Sequence, residues 1–149
     1  MKKFVQEIVR KSRALKDKHT SEKDARVNYV CIFCQNDEKF HELLDLSKKM
    51  GKIIEETPTG PLFHIKPLGT IAGKLQLLKI RKPDEKRPEL GDADFTIKNY
   101  SEFKKKYLSK KGFKLIIREK FEMIELLEPE SDVLAYFSNP PLDEQFGIN

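Results

Sequence analysis

Cysteine is almost absent from this chain. Cys31 and Cys34 are the only two in 149 residues, too few for the disulfide framework of a secreted scaffold, so a reducing cytoplasm is expected. Their C-x-x-C spacing invites a redox or zinc reading. Redox pairs open a helix, where the dipole lowers the thiol pKa, whereas these two lie inside a β-type run over 27–34. Positions i and i+3 of a strand point to opposite faces, so the sulfurs are not expected to share a metal. No second Cys or His pair at zinc spacing follows, and both cysteines read as small buried hydrophobes. Long apolar runs are missing too. Nothing approaches the roughly eighteen residues of a bilayer span, and no apolar segment follows the basic start Met1-Lys2-Lys3-Phe4. Neither membrane insertion nor a secretion signal is predicted. The signatures G-x-S-x-G, H-E-x-x-H, the Walker loop and G-x-G-x-x-G do not occur, which leaves nucleophilic hydrolysis and nucleotide-dependent chemistry unsupported.

What is present is a core and a great deal of charge. Apolar residues make up 38% of the chain, with ten Phe and four Tyr, and charged residues 36%. That length fits one domain able to hide about two-thirds of its surface. The net charge of +5 has a location: residues 1–26 hold nine Lys and Arg against four acids, and the remainder balances at twenty against twenty. Phe4, Val5, Ile8, Val9 and Leu15 fall on one side of a 3.6-residue period, which predicts an amphipathic helix over 2–16. Its apolar stripe needs a cover, either the chain's own body or a twin subunit. A basic helix also admits nucleic acid or an acidic protein as partner, although no aromatics interleave as a stacking platform would need. Residues 19–26 read as a polar linker, so 1–26 is expected to be an appendage to a body over 27–149.

That body reads as one unit written twice. Placing residue n on residue n+62 sets Phe33 on Phe95, Leu46-Ser47-Lys48-Lys49 on Leu108-Ser109-Lys110-Lys111, Lys52 on Lys114 and Ile54 on Ile116. Each copy, 27–90 and 91–149, runs from a short strand through a polar turn into a helix (38–50; 100–109). Gly51 or Gly112 is expected to end the helix as a left-handed cap. Further strands follow over 52–55, 62–68 and 74–81 in the first copy, and over 113–118, 121–127 and 133–137 in the second. The expected fold is α+β: duplicated βαβββ modules forming a curved mixed sheet, helices on the outer face, plus the N-terminal helix. The bare sheet faces would then curl into a shared cup suited to a small organic ligand. The Pro-rich tail 139–142 is expected to lie extended over the surface.

With the strand Asp92-Ala93-Asp94-Phe95-Thr96-Ile97, a helix, and the closing turn and strand over 128–137, the pattern resembles the vicinal oxygen chelate superfamily of glyoxalases, bleomycin-resistance proteins and extradiol dioxygenases. The resemblance implies paired modules, a homodimer, and metal ligands early in the first strand and late in the last strand of each module. Those slots hold Val30, Asp92 and Ala135, a poor donor set for a divalent metal. The expected function is therefore a glyoxalase-like small-molecule-binding protein without the full metal site. The alternative is a divalent-metal-dependent lyase, isomerase or dioxygenase. In that alternative Asp92, His64 and Glu125 hold the metal, with His64 and Glu125 as acid and base. Asp94, Thr96, Arg81 and Tyr136 are the expected ligand-binding set. The plainer readings are a satisfied, half-buried His64 and a Glu125 paired across the sheet with Lys79, Arg81 or Arg118. His41 reads as surface and His19 as linker.

Overall fold

The structure, a computed structural model, describes residues 1–148. Its elements are α1 (Lys2–His19), β1 (Val27–Phe33), α2 (Asp37–Met50), β2 (Gly51–Thr57), β3 (Gly60–Thr70) and β4 (Gly73–Arg81). The second half contributes β5 (Gly91–Phe95), α3 (Tyr100–Tyr107), β6 (Phe113–Ile117), β7 (Glu122–Leu126), β8 (Val133–Asn139) and α4 (Leu142–Gln145). All eight strands form one sheet in the order β2-β3-β4-β1-β5-β8-β7-β6. Each half thus repeats the succession β-α-β-β-β, its first strand parallel to its last. The halves meet where β1 runs antiparallel to β5.

Local chemistry explains the helices. Asn36 and Asn99 cap α2 and α3, their side chains accepting from Lys39 N–H at 2.7 Å and Glu102 N–H at 3.2 Å, which satisfies donors a helix start leaves free. Asp37 and Glu38 at the start of α2 and Lys48 and Lys49 at its end complement its dipole. Gly51 does not serve as the left-handed cap expected of it: its φ is −176°, ordinary extended backbone. Glycine is required there for a different reason, because a Cβ would lie 2.0 Å from the His64 carbonyl oxygen on β3. Gly112 does adopt the left-handed region, with φ +94°, but it is not the helix cap expected of it either, since α3 ends at Tyr107 with Leu108 as its C-cap.

One face of the sheet carries α1, α2 and α3 over a continuous core that includes Ile32, Phe63, Ile80, Phe95 and Phe137. Val5, Ile8 and Val9 of α1 are completely buried in it, each worth about 1.5–3 kcal/mol of transfer free energy. Ser12 Oγ donates to the Leu134 carbonyl at 2.9 Å. Lys16 is fully buried as well; its ammonium bonds Asp17 Oδ1 at 2.6 Å and the Glu22 carbonyl, and lies 5.3 Å from the Phe95 ring centroid. The stripe expected to need a cover is covered by the chain's own sheet.

The opposite face gathers two smaller clusters. Cys31, Phe33, Leu134 and Tyr136 form one. Leu62, Leu77 and Leu142 form the other, with Phe121 and Phe146 packed against them. The tail is therefore not draped over the outside as expected. It turns through α4, buries Leu142 and Asp143, and roofs this face, where Leu142 packs with Leu62 and Leu77.

Candidate functional site

Cys31 and Cys34 are both free and buried, and they sit on opposite faces of the sheet, in the Cys31–Tyr136 cluster and the helix-side core respectively. The same alternation brings Asp92 and Asp94 of β5 to the face that carries Cys31. The register lines up Glu55, Leu62, Lys79, Cys31, Asp92 and Leu134 across six neighbouring strands. A cup of about 510 Å³ lies over this row. Tyr29, Lys79 and Arg81 line it from the first module, Asp92, Met123 and Tyr136 from the second, while Arg118 and Lys120 lean in from the β6–β7 turn. Leu142 and Phe146 close the side beneath the tail.

Asp92 is the singular group here. It is 6% exposed, and its Oδ1 is buried without any hydrogen-bond partner among the described residues. Burial, reinforced by the neighbouring Asp94 carboxylate, pushes its pKa up to about 8 against the pull of Arg87, Lys79 and Arg81. At neutral pH it is mostly an acid rather than a carboxylate. Lys79 is its cationic counterpart across Cys31. Burial lowers the Lys79 pKa, and its ammonium makes no hydrogen bond or ion pair among the described residues. Burial also drives the Cys31 thiol well above its usual range, so it is no nucleophile. Arg81 donates to Asp84 Oδ2 at 3.1 Å and lies 5.2 Å from the Phe33 ring centroid, while its Nε is buried and unpartnered among the described residues.

The expected site residues separate into groups. Arg81, Asp92 and Tyr136 line the cup. Asp94 lies beneath it, completely buried, with Oδ1 accepting from Asn28 Nδ2 at 3.0 Å and Ser138 N–H at 3.2 Å, and Oδ2 accepting from Ser138 Oγ. Burial raises its pKa to about 6 against these bonds. Thr96 Oγ1 accepts from the same Asn28 amide at 3.0 Å. These two hold the floor together. Glu125 is paired, but with Tyr136, whose hydroxyl donates to Oε2 at 2.8 Å, and not with Lys79, Arg81 or Arg118. Arg87 in turn donates to the Tyr136 hydroxyl at 3.3 Å. His64 lies apart, in a groove with Lys52, Lys66 and Gln76, its Nε2 3.5 Å from Gln76 Oε1. It does not meet Glu125 or Asp92. The groups that sequence reasoning missed are Lys79 and Cys31. The signal was available in Leu77-Leu78-Lys79-Ile80-Arg81, a central strand whose alternate residues are charged although both its faces are covered.

The donor set does not fit the divalent metal that the resemblance implies. Val30 and Ala135 face the helix-side core. Among the described residues no three His, Cys, Asp or Glu side chains converge, and the buried carboxyl of the cup, Asp92, has Lys79, Arg81 and Arg87 near it.

Three cations of α1 reach the body: Lys11 bonds Asp132 at 2.5 Å, Lys18 bonds Glu128 at 2.6 Å and Arg13 donates to the Ile71 carbonyl at 3.1 Å. Arg10 pairs with Glu7, and Arg13 with Asp17 at 3.6 Å. Among the described residues no helix is long and apolar enough to cross a membrane.

Two βαβββ modules joined edge to edge around a cup define the architecture of this chain. No protein-family model and no curated protein matches its sequence. Among solved structures, one described as "Structural Genomics, Protein EC4020" superposes with a TM-score of 0.69 at 10% identity, over 90% of this chain and 82% of that one. A glyoxalase/bleomycin resistance protein/dioxygenase superfamily member from Vibrio splendidus 12B01 gives 0.45 at 7% identity, over 76% of this chain and 97% of that one. Glyoxalase I from Zea mays gives 0.44 at 15%, over 77% and 43%. Of these values, 0.69 establishes a shared fold.

Proposed function

We propose that this protein binds a small organic molecule in the cup between its modules, and that it does so without a divalent metal. The observation that carries this reading is the cup itself: about 510 Å³, walled by both modules, with the buried, unpartnered Asp92 carboxyl at its floor. A pocket of that size with few convergent polar groups is the common form of a small-molecule site. An unpartnered buried oxygen costs free energy unless something bonds to it. A ligand group is one such partner.

The metal-free part rests on charge. Cations around Asp92 favour an electron-rich guest over a metal ion. Metal analysis of the purified protein tests it directly, with less than a tenth of an equivalent of zinc, iron or manganese expected. A stoichiometric metal would overturn the metal-free reading and restore the lyase, isomerase or dioxygenase alternative.

A further inference from the structure

The two ends of the cup differ in chemistry, and that difference selects a ligand class. Resting on the small-molecule reading above, we propose that the ligand is an amphipathic organic anion. Its carboxylate head lies between Lys79 and Asp92, and its apolar body lies against Leu62, Phe121, Leu142 and Phe146.

The head is argued from unmet bonding. Lys79 is a half-buried ammonium with no hydrogen-bond or ion-pair partner among the described residues. Its lateral neighbours on the adjacent strands are Leu62 and Cys31, neither of which can neutralise it. Glu55 stands one strand further out, beyond Leu62. Asp92, beyond Cys31, is held mostly in its acid form, so it carries a proton to donate and little charge to offer. A carboxylate placed here accepts from the Lys79 ammonium and from the Asp92 hydroxyl together, meeting both unmet groups at once. An alcohol leaves the ammonium unneutralised, and an organic cation is repelled by Lys79 and Arg81.

The apolar body is matched by the residues beside Lys79 and beneath the tail. Leu62, Leu77 and Leu142 are buried there, with Phe121 and Phe146 packed against them.

Calorimetric titration of the full chain with octanoate, 1-octanol and octylammonium tests the assignment, with displacement of 8-anilino-1-naphthalenesulfonate as the report of cup occupancy. Octanoate is expected to bind at least tenfold tighter than 1-octanol, with octylammonium weakest. Lys79→Met should abolish the preference for octanoate while leaving 1-octanol binding intact, and Lys79→Arg should restore it. Equal binding of octanoate and 1-octanol, or a preference for octylammonium, overturns the anion while the cup stands. If none of the three binds and the fluorophore is not taken up, the small-molecule reading falls with it.

Discussion

The two modules share a strand order and differ in almost everything placed on it. The first is long: β2, β3 and β4 have 7, 11 and 9 residues, and α2 has 14. The second is short, with 5, 5 and 7 residues in β6, β7 and β8 and 8 in α3. A helix of two turns cannot cover the helix-side face of its own half, and α1 packs on β5 and β8 to make up the deficit. The cup repeats the contrast in chemistry. Where β4 of the first module presents Lys79 and Arg81, β8 of the second presents Leu134 and Tyr136, and the acids Asp92 and Asp94 stand beside them on β5. The lesson is that a duplicated backbone fixes the shape of a site, while divergence between the copies fixes its polarity.

The largest expected effect comes from removing the piece that compensates the short module. Deleting residues 1–19 exposes the core beneath Val5, Ile8 and Val9, and circular dichroism should show no cooperative unfolding transition. A truncated chain that melts as the whole one does would make α1 the appendage its charge suggests. Next comes the core of the second module, where Phe137 is fully buried with its ring 4.6 Å from that of Phe103. Phe137→Ala should cost about 3–5 kcal/mol in urea denaturation, against about 2–5 kcal/mol for Leu43→Ala under α2. A cost below that of Leu43→Ala would show that the shorter module is the less tightly packed.

Asp92→Asn probes the chemical difference between the modules. The folded pKa of Asp92, about 8, lies above the ordinary 3.8. Its contribution is therefore fully present near pH 4 and is lost as pH rises toward 8. The amide variant escapes that loss. It should match the parent in thermal melts near pH 4 and exceed it by a margin that grows up to about pH 8 and then levels off. An unchanged difference across that range would mean that Asp92 is not held as an acid. The smallest effect is expected at the surface: Lys18→Ala, which removes an exposed pair with Glu128, should leave the denaturation midpoint unresolved from the parent. A clear drop would assign the pairs of α1 a real part in docking it.

Most of the architecture was legible in the sequence because periodicity and caps report local structure. The run over 27–34, the Asn-led helices and the Gly51 boundary all correspond to elements. What periodicity could not convey was parity across the seam. The 62-residue alignment sets Phe33 on Phe95, yet Phe33 faces the cup and Phe95 the helices. The antiparallel pairing of Cys31 with Asp92 and Val30 with Ala93 relates the two strands by an odd offset, whereas Ile54 and Ile116 do share the cup side. One residue of slip turns a strand over. His64 shares the face of Leu62, in regular register with Leu77, but stands two residues further along β3, outside the cup. Lys79 was weighed only as a partner for Glu125, because a lone sequence does not show which charges remain unpaired.

Arg26 ties distant parts of the chain together. Its carbonyl accepts from Thr96 N–H at 2.9 Å, just past β5, and its guanidinium donates to the buried Asp143 at 2.8 Å. One residue thus anchors the closing tail to the midline of the sheet. Displacing the tail at this point would therefore also break the Arg26–Asp143 contact beside the strand that enters the centre of the sheet.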